Sequence, residues 1–139
     1  MSVYLDASVL VALLTDDSFS TRADAYFRGR GEILLVSDFA AAEFASVVAR
    51  SVRTKQIDET GARSLFADFD VFRAAAERVE TVSADVRSAE AILRRLDLPL
   101  RTPDALHISI SRRLGAVLAT FDAQMAASAR VLGLALAAL

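Results

Sequence analysis

Brief apolar runs separated by longer amphipathic stretches constrain the fold of this chain more than any other feature. Residues 3–5, 33–36, 79–82, 116–119 and 134–137 are short and bounded by polar or Gly positions, which predicts five short buried strands. Helical spacing fills the intervals. Residues 19–28 put Phe19, Ala23, Tyr26 and Phe27 on one face and stop at Gly29 and Gly31. Residues 39 to about 53 are apolar nearly all round at their start, which predicts deep burial there. Residues 58 to about 76 carry Leu65, Phe66, Phe69 and Phe72 at helical spacing. Residues 84–96 follow Ser83 as an expected cap and turn Val86, Ala89, Leu93 and Leu96 inward. Residues 103–114 start with Thr102 as cap and Pro103 in the first turn, and Gly115 ends them; residues 122–132 end at Gly133. Strands that alternate with helices and are buried on both faces predict an α/β fold, a three-layer α/β/α domain around a mostly parallel sheet of about five strands. Ligands of such sheets bind beyond the carboxyl ends of the strands, where the winding reverses.

The 139 residues suffice for one domain, 1–139, and the 54% hydrophobic share supplies a sizeable core. No apolar run approaches the about 18 residues of a membrane span. Residues 1–3 lead straight into a strand pattern with no basic stretch ahead, so a cytoplasmic protein without a membrane partner is expected. The absence of Cys excludes disulfides, thiolate metal sites and a Cys nucleophile. Net charge is −2, which permits a nucleic-acid partner without demanding one. Every basic residue except Lys55 is Arg, a pattern that suits phosphate binding but that a GC-rich genome explains more readily.

Four acids break the apolar pattern. Asp6 ends the first run, Glu43 lies in an uncharged helical stretch, Asp104 opens an apolar helix, and Asp122 follows the fourth run. Helix capping explains Asp6 and Asp122 on their own, and the helix dipole explains Asp104. Glu43 has no such account. No other charged residue stands between Asp38 and Arg50, and Arg50 is two turns away. A carboxylate among Ala, Phe and Val is costly unless something positive shares its site. A divalent cation shared by Asp6, Glu43, Asp104 and Asp122 satisfies that need. Hard oxygen donors select Mg²⁺, with Mn²⁺ as a substitute. Such a site suits in-line phosphoryl displacement by an activated water, with one ion or with two about 3.5–4 Å apart. Ser8 and Thr120, each two positions from an acid, are expected to hydrogen-bond a carboxylate or to cap a helix. His107, one turn beyond Asp104, faces either the same cleft or the core.

The segments Tyr4-Leu5-Asp6-Ala7-Ser8, Ala42-Glu43-Phe44, residues 98–107 with Thr102-Pro103-Asp104-Ala105-Leu106-His107, and Ala119-Thr120-Phe121-Asp122 together resemble the PIN-domain family, in particular its VapC-type toxin ribonucleases. The resemblance spans nearly the whole chain and implies a PIN-like nuclease domain. It also implies a Mg²⁺-dependent endoribonuclease, the toxin of a type II toxin–antitoxin pair. It assigns catalytic, metal-binding roles to Asp6, Glu43, Asp104 and Asp122, with Asp6 and Asp104 as direct ligands and Ser8 and Thr120 in support. It further implies an RNA substrate, a homodimer, and a small antitoxin whose C-terminal segment blocks the groove. Arg50, Arg53, Arg101 and Arg112 are candidate RNA contacts, with Lys55, Arg94, Arg95 and Arg113 beside them.

Three other readings compete. An aspartyl-phosphate phosphatase wants a second acid two residues after the first, where Ser8 stands. A phospho-receiver module wants a Lys at a late strand end, whereas Lys55 lies near a helix end. A non-catalytic metal-binding interaction domain would show no metal-dependent cleavage.

Overall fold

The computed structural model describes residues 1–139. Its elements in chain order are β1 (Ser2–Leu5), α1 (Ala7–Leu14), α2 (Ser20–Phe27), β2 (Ile33–Ser37), α3 (Asp38–Arg53), α4 (Glu59–Ala75), β3 (Glu77–Val79), α5 (Ser83–Leu93), α6 (Thr102–Leu114), β4 (Val117–Ala119) and α7 (Ala123–Val131). The four strands are parallel in the order β3-β2-β1-β4. Register pairs Val3 with Leu34 on one side and with Val117 on the other. The chain winds outward from β1 to β3 and then returns to the far side of β1. The reversal therefore lies between β1 and β4.

Strand alternation sorts the core into two layers. Val3, Leu5, Val36 and Ala119 face Val9, Phe44, Val48 and Phe69 of α1, α3 and α4. Tyr4, Leu35 and Leu118 face Ala89, Ile108 and Met125 of α5, α6 and α7. Burial of both sheet faces removes enough apolar surface to explain why the strands are short unbroken runs. No helix is long and apolar enough to cross a membrane.

Several expected boundaries move. The sheet has four strands, not five. Residues 134–137 contribute a single bridge from Leu136 to Leu118, with Leu118 N–H donating to Ala135 O and Ala137 N–H to Leu118 O, both at 2.9 Å. The third strand lies at Glu77–Val79, because Val82 is taken as the residue before α5. Ser83 and Thr102 are not caps but first helical residues. Their helices are closed by the acid at the third position, Asp85 and Asp104, which accept the Val82 and Arg101 amides at 3.0 and 2.9 Å. Helix α5 stops at Leu93; Arg95 then pairs with Asp97, and Leu96 adopts a left-handed φ of 65°. Leu96 is 89% exposed and Val86 is also exposed, so neither joins the core as expected. Ala42, Ser46 and Val47 leave one face of α3 open to solvent, against the expectation of all-round burial.

Candidate metal and nucleic-acid cleft

The strand order places Asp6, just beyond β1, beside Thr120, just beyond β4, at the reversal. Asp6 is 2% exposed. Its Oδ1 accepts Ser8 Oγ at 2.6 Å and the Val9 amide at 3.0 Å, and its Oδ2 accepts Thr120 Oγ1 at 2.5 Å. The two hydroxyls work as matched clamps. Ser8 Oγ accepts the Phe121 amide and Thr120 Oγ1 accepts the Asp122 amide, at 2.9 and 3.0 Å. Residues 120–122 are thereby registered on the Asp6 carboxylate from both sides. Burial is the largest influence on Asp6 and pushes its carboxyl above the usual range. His107, the Ser8 and Thr120 hydroxyls and the Val9 amide pull it back without cancelling that effect. A carboxylate has about four acceptor positions, and these donors fill three of them.

Asp6, Glu43, Asp104 and Asp122 line one cleft of about 570 Å³, together with Ser8 and His107. Asp104 spends Oδ2 on the Arg101 amide, and Asp122 spends Oδ1 on the Met125 amide at 2.9 Å. Their other oxygens have no protein partner. The capping and cleft-facing readings of these two acids therefore hold together, one oxygen for each. No three of the Asp, Glu and His side chains converge closely enough to hold a metal ion by themselves. The acids share a cleft, then, rather than a closed first shell. An ion that keeps several of its waters fits that spacing better than one needing an all-protein cage.

Glu43 differs from its sequence-based account. Its side chain is 28% exposed, and it has a partner, His107 Nε2 at 2.5 Å. His107 is buried on α6, and its Nδ1 lies 2.7 Å from the Tyr4 hydroxyl, which is 2.8 Å from Ser37 Oγ. Ser37 Oγ also accepts the Ala40 amide as the N-cap of α3. Every proton finds an acceptor when Ser37 donates to Tyr4, Tyr4 donates to Nδ1, and Nε2–H donates to the Glu43 carboxylate. Burial keeps the Tyr4 hydroxyl well above the usual phenol range, so it stays a donor. The electrostatic need for a cation thus rests on Asp6, which touches no cation, rather than on Glu43. Sequence reasoning missed Tyr4 and Ser37. The available signal was a Tyr within a buried strand, whose hydroxyl must find a partner.

Among the arginines, Arg50 and Arg101 line the cleft, while Arg53 and Arg112 sit outside it at the ends of α3 and α6. Arg94 pairs with Glu90 and Arg95 with Asp97. Arg113 is committed to Asp85 at 2.7 Å and to Glu80 O at 2.9 Å. Lys55 lies beyond α3, away from the cleft, and so supplies no phospho-receiver lysine.

Fold and site together define an α/β domain with an acidic cleft at its switch point. A family model for the PIN domain matches residues 3–131, and the chain belongs to that family. No curated protein sequence matches it. Among solved structures, Mycobacterium tuberculosis VapC20, described as a Sarcin-Ricin loop cleaving toxin, superposes with TM-score 0.74 at 18% identity, over 91% of this chain and 95% of that one. FitAcB from Neisseria gonorrhoeae gives TM-score 0.77 at 14% identity, over 96% and 95%. VapBC2 from Rickettsia felis, bound to a DNA fragment from its promoter, gives 0.68 at 18% identity, over 98% and 97%. These likenesses show the fold.

Proposed function

We propose that this protein is a Mg²⁺-dependent endoribonuclease, the toxin of a type II toxin–antitoxin pair. The observation that carries the reading is the meeting of Asp6, Glu43, Asp104 and Asp122 in one cleft at the β1–β4 reversal of a PIN domain. Asp6 and Asp104 would hold the ion directly, with Glu43 and Asp122 through water or a second ion. The cleft fits Mg²⁺ because it offers hard oxygen donors, including unpartnered oxygens on Asp104 and Asp122, beside a buried carboxylate that lacks a contacting cation. When bound, the ion supplies water activation and neutralises charge on the phosphodiester.

The chain's own groups divide the remaining work. Ser8 and Thr120 fix both oxygens of Asp6, so its orientation is set before substrate arrives. Ser37, Tyr4 and His107 hold Glu43 from beneath. Arg50 and Arg101, on the cleft wall, are placed to contact RNA phosphates. A small antitoxin laid along the cleft would cover the acids. VapBC and FitAB assemblies among the fold's likenesses support such a partner. The same reading makes the protein a homodimer.

The test is RNA cleavage with Mg²⁺ or Mn²⁺, with EDTA, and with Asp6→Ala. Cleavage should require metal, and Asp6→Ala should lose at least about a hundredfold, as expected for loss of a direct metal ligand or its orientation. Equal cleavage in every condition would sink the proposal.

A further inference from the structure

A second hollow, about 420 Å³, opens beside Asp122, which borders both it and the acidic cleft. Phe19 and Phe121 stack in its wall, with ring centroids 4.5 Å apart and planes within 12°. The Arg22 guanidinium lies 5.7 and 5.4 Å from the two centroids. Arg130, exposed in the last turn of α7, stands in the same wall and pairs with no carboxylate. The aromatic wall is registered on the cleft, since the Phe121 amide donates to Ser8 Oγ, which donates to Asp6.

Aromatic faces combined with guanidinium groups suit one ligand class, a nucleotide, whose base stacks and whose phosphate pairs with Arg. The volume falls in the about 300–1,000 Å³ range of small-ligand sites. A peptide strand fits less well. The outer edge of β4 is already taken by residues 135–137, which bond both Leu118 N–H and Leu118 O. A peptide strand therefore cannot add directly to β4.

We propose that this hollow binds one unpaired nucleotide of the RNA substrate, next to the phosphate held in the acidic cleft. The base lies against Phe19 and Phe121, and Arg130 receives the adjoining phosphate, while Arg22, which donates to Leu139 O at 2.7 Å, holds the aromatic wall in place. This assignment rests on the ribonuclease reading above and specifies how its substrate is seated.

The experiment measures fluorescence anisotropy of a short labelled oligouridine and of an abasic strand with the same phosphates, both in EDTA. The two strands carry equal charge, so their affinity ratio isolates the bases. Wild type should prefer the oligouridine roughly tenfold, the scale of one stacked base. Phe19→Leu should bring the ratio near one while a single cooperative thermal transition is kept, lowered only by the few degrees that loss of one aromatic pair costs, and Phe19→Tyr should keep the ratio. Arg130→Gln should weaken both strands by the same factor. A ratio near one in wild type, as a peptide site would give, overturns the assignment, as does a ratio that Phe19→Leu leaves intact. Metal-dependent cleavage, assayed in parallel, separates the two proposals. Cleavage with a flat ratio sinks the nucleotide site alone. A preserved ratio without cleavage sinks the ribonuclease reading and leaves a nucleotide site standing.

Discussion

Asp6 shows how one residue is held in an unfavourable state by its neighbours. Burial raises its carboxyl pKa, so its anion destabilises the metal-free protein at neutral pH. A carboxyl raised in the folded state favours folding below its unfolded pKa and loses that contribution as pH rises through the folded value. Asp6→Asn should therefore give a metal-free thermal midpoint no lower than wild type, because it removes the charge and keeps a carbonyl acceptor for Ser8 and Val9. Added Mg²⁺ should raise the wild-type midpoint and leave that of Asp6→Asn unmoved, readable by differential scanning fluorimetry. Tyr4→Phe tests the other buried group. It strips a partner from both Ser37 and His107 and should cost about 1–3 kcal/mol in denaturant unfolding. The positions of the four acids were legible in the sequence because each interrupts an apolar run. The His107 partner of Glu43 was not, since the two are neighbours only across the α3–α6 contact.

Between elements, the Arg113–Asp85 pair ties α6 to α5 and to Glu80 O ahead of it. Asp85 is 1% exposed. Burial alone would raise its carboxyl pKa, but the Arg113 hydrogen bonds, the Val82 amide and the Arg113 charge outweigh this and hold it below the usual value. A depressed carboxyl stabilises the fold above its unfolded pKa and loses that contribution as pH falls through the folded value. Arg113→Ala should thus cost about 2 kcal/mol at neutral pH, discounted from a fully buried pair because Arg113 is partly exposed. The cost should shrink below about pH 4, as Asp85 takes up a proton. Denaturant midpoints of both proteins across that range check the sign. In the sequence this arginine looked like a companion of the candidate RNA contacts. The helical positions of Asp85 and Arg113 were readable from periodicity, but the α5–α6 packing that joins them was not. The same limit displaced the third strand, because Asp85 closes α5 at Val82 and withdraws that residue from the sheet.

For the whole molecule, the fold is held by groups of the chain itself. Both core layers are apolar, and all four site acids have hydrogen-bond partners within the chain. EDTA should therefore abolish cleavage while leaving a single cooperative thermal transition, lowered only by the lost binding free energy. Loss of the transition in EDTA would make the ion part of the fold. Periodicity and apolar run length determined the layered parallel α/β class, because those patterns reflect which faces must leave water. They also marked Asp6, Glu43, Asp104 and Asp122 as acids in costly surroundings. Strand order decided the rest. Only the return of β4 to the open side of β1 brings Thr120 and Asp122 to Asp6, and only the meeting of α3 and α6 at the cleft, from opposite faces of the sheet, gives Glu43 its histidine. Such contacts join residues up to 114 positions apart. Local pattern records which side of an element is buried, whereas the identity of what buries it is fixed only when the layers close on one another.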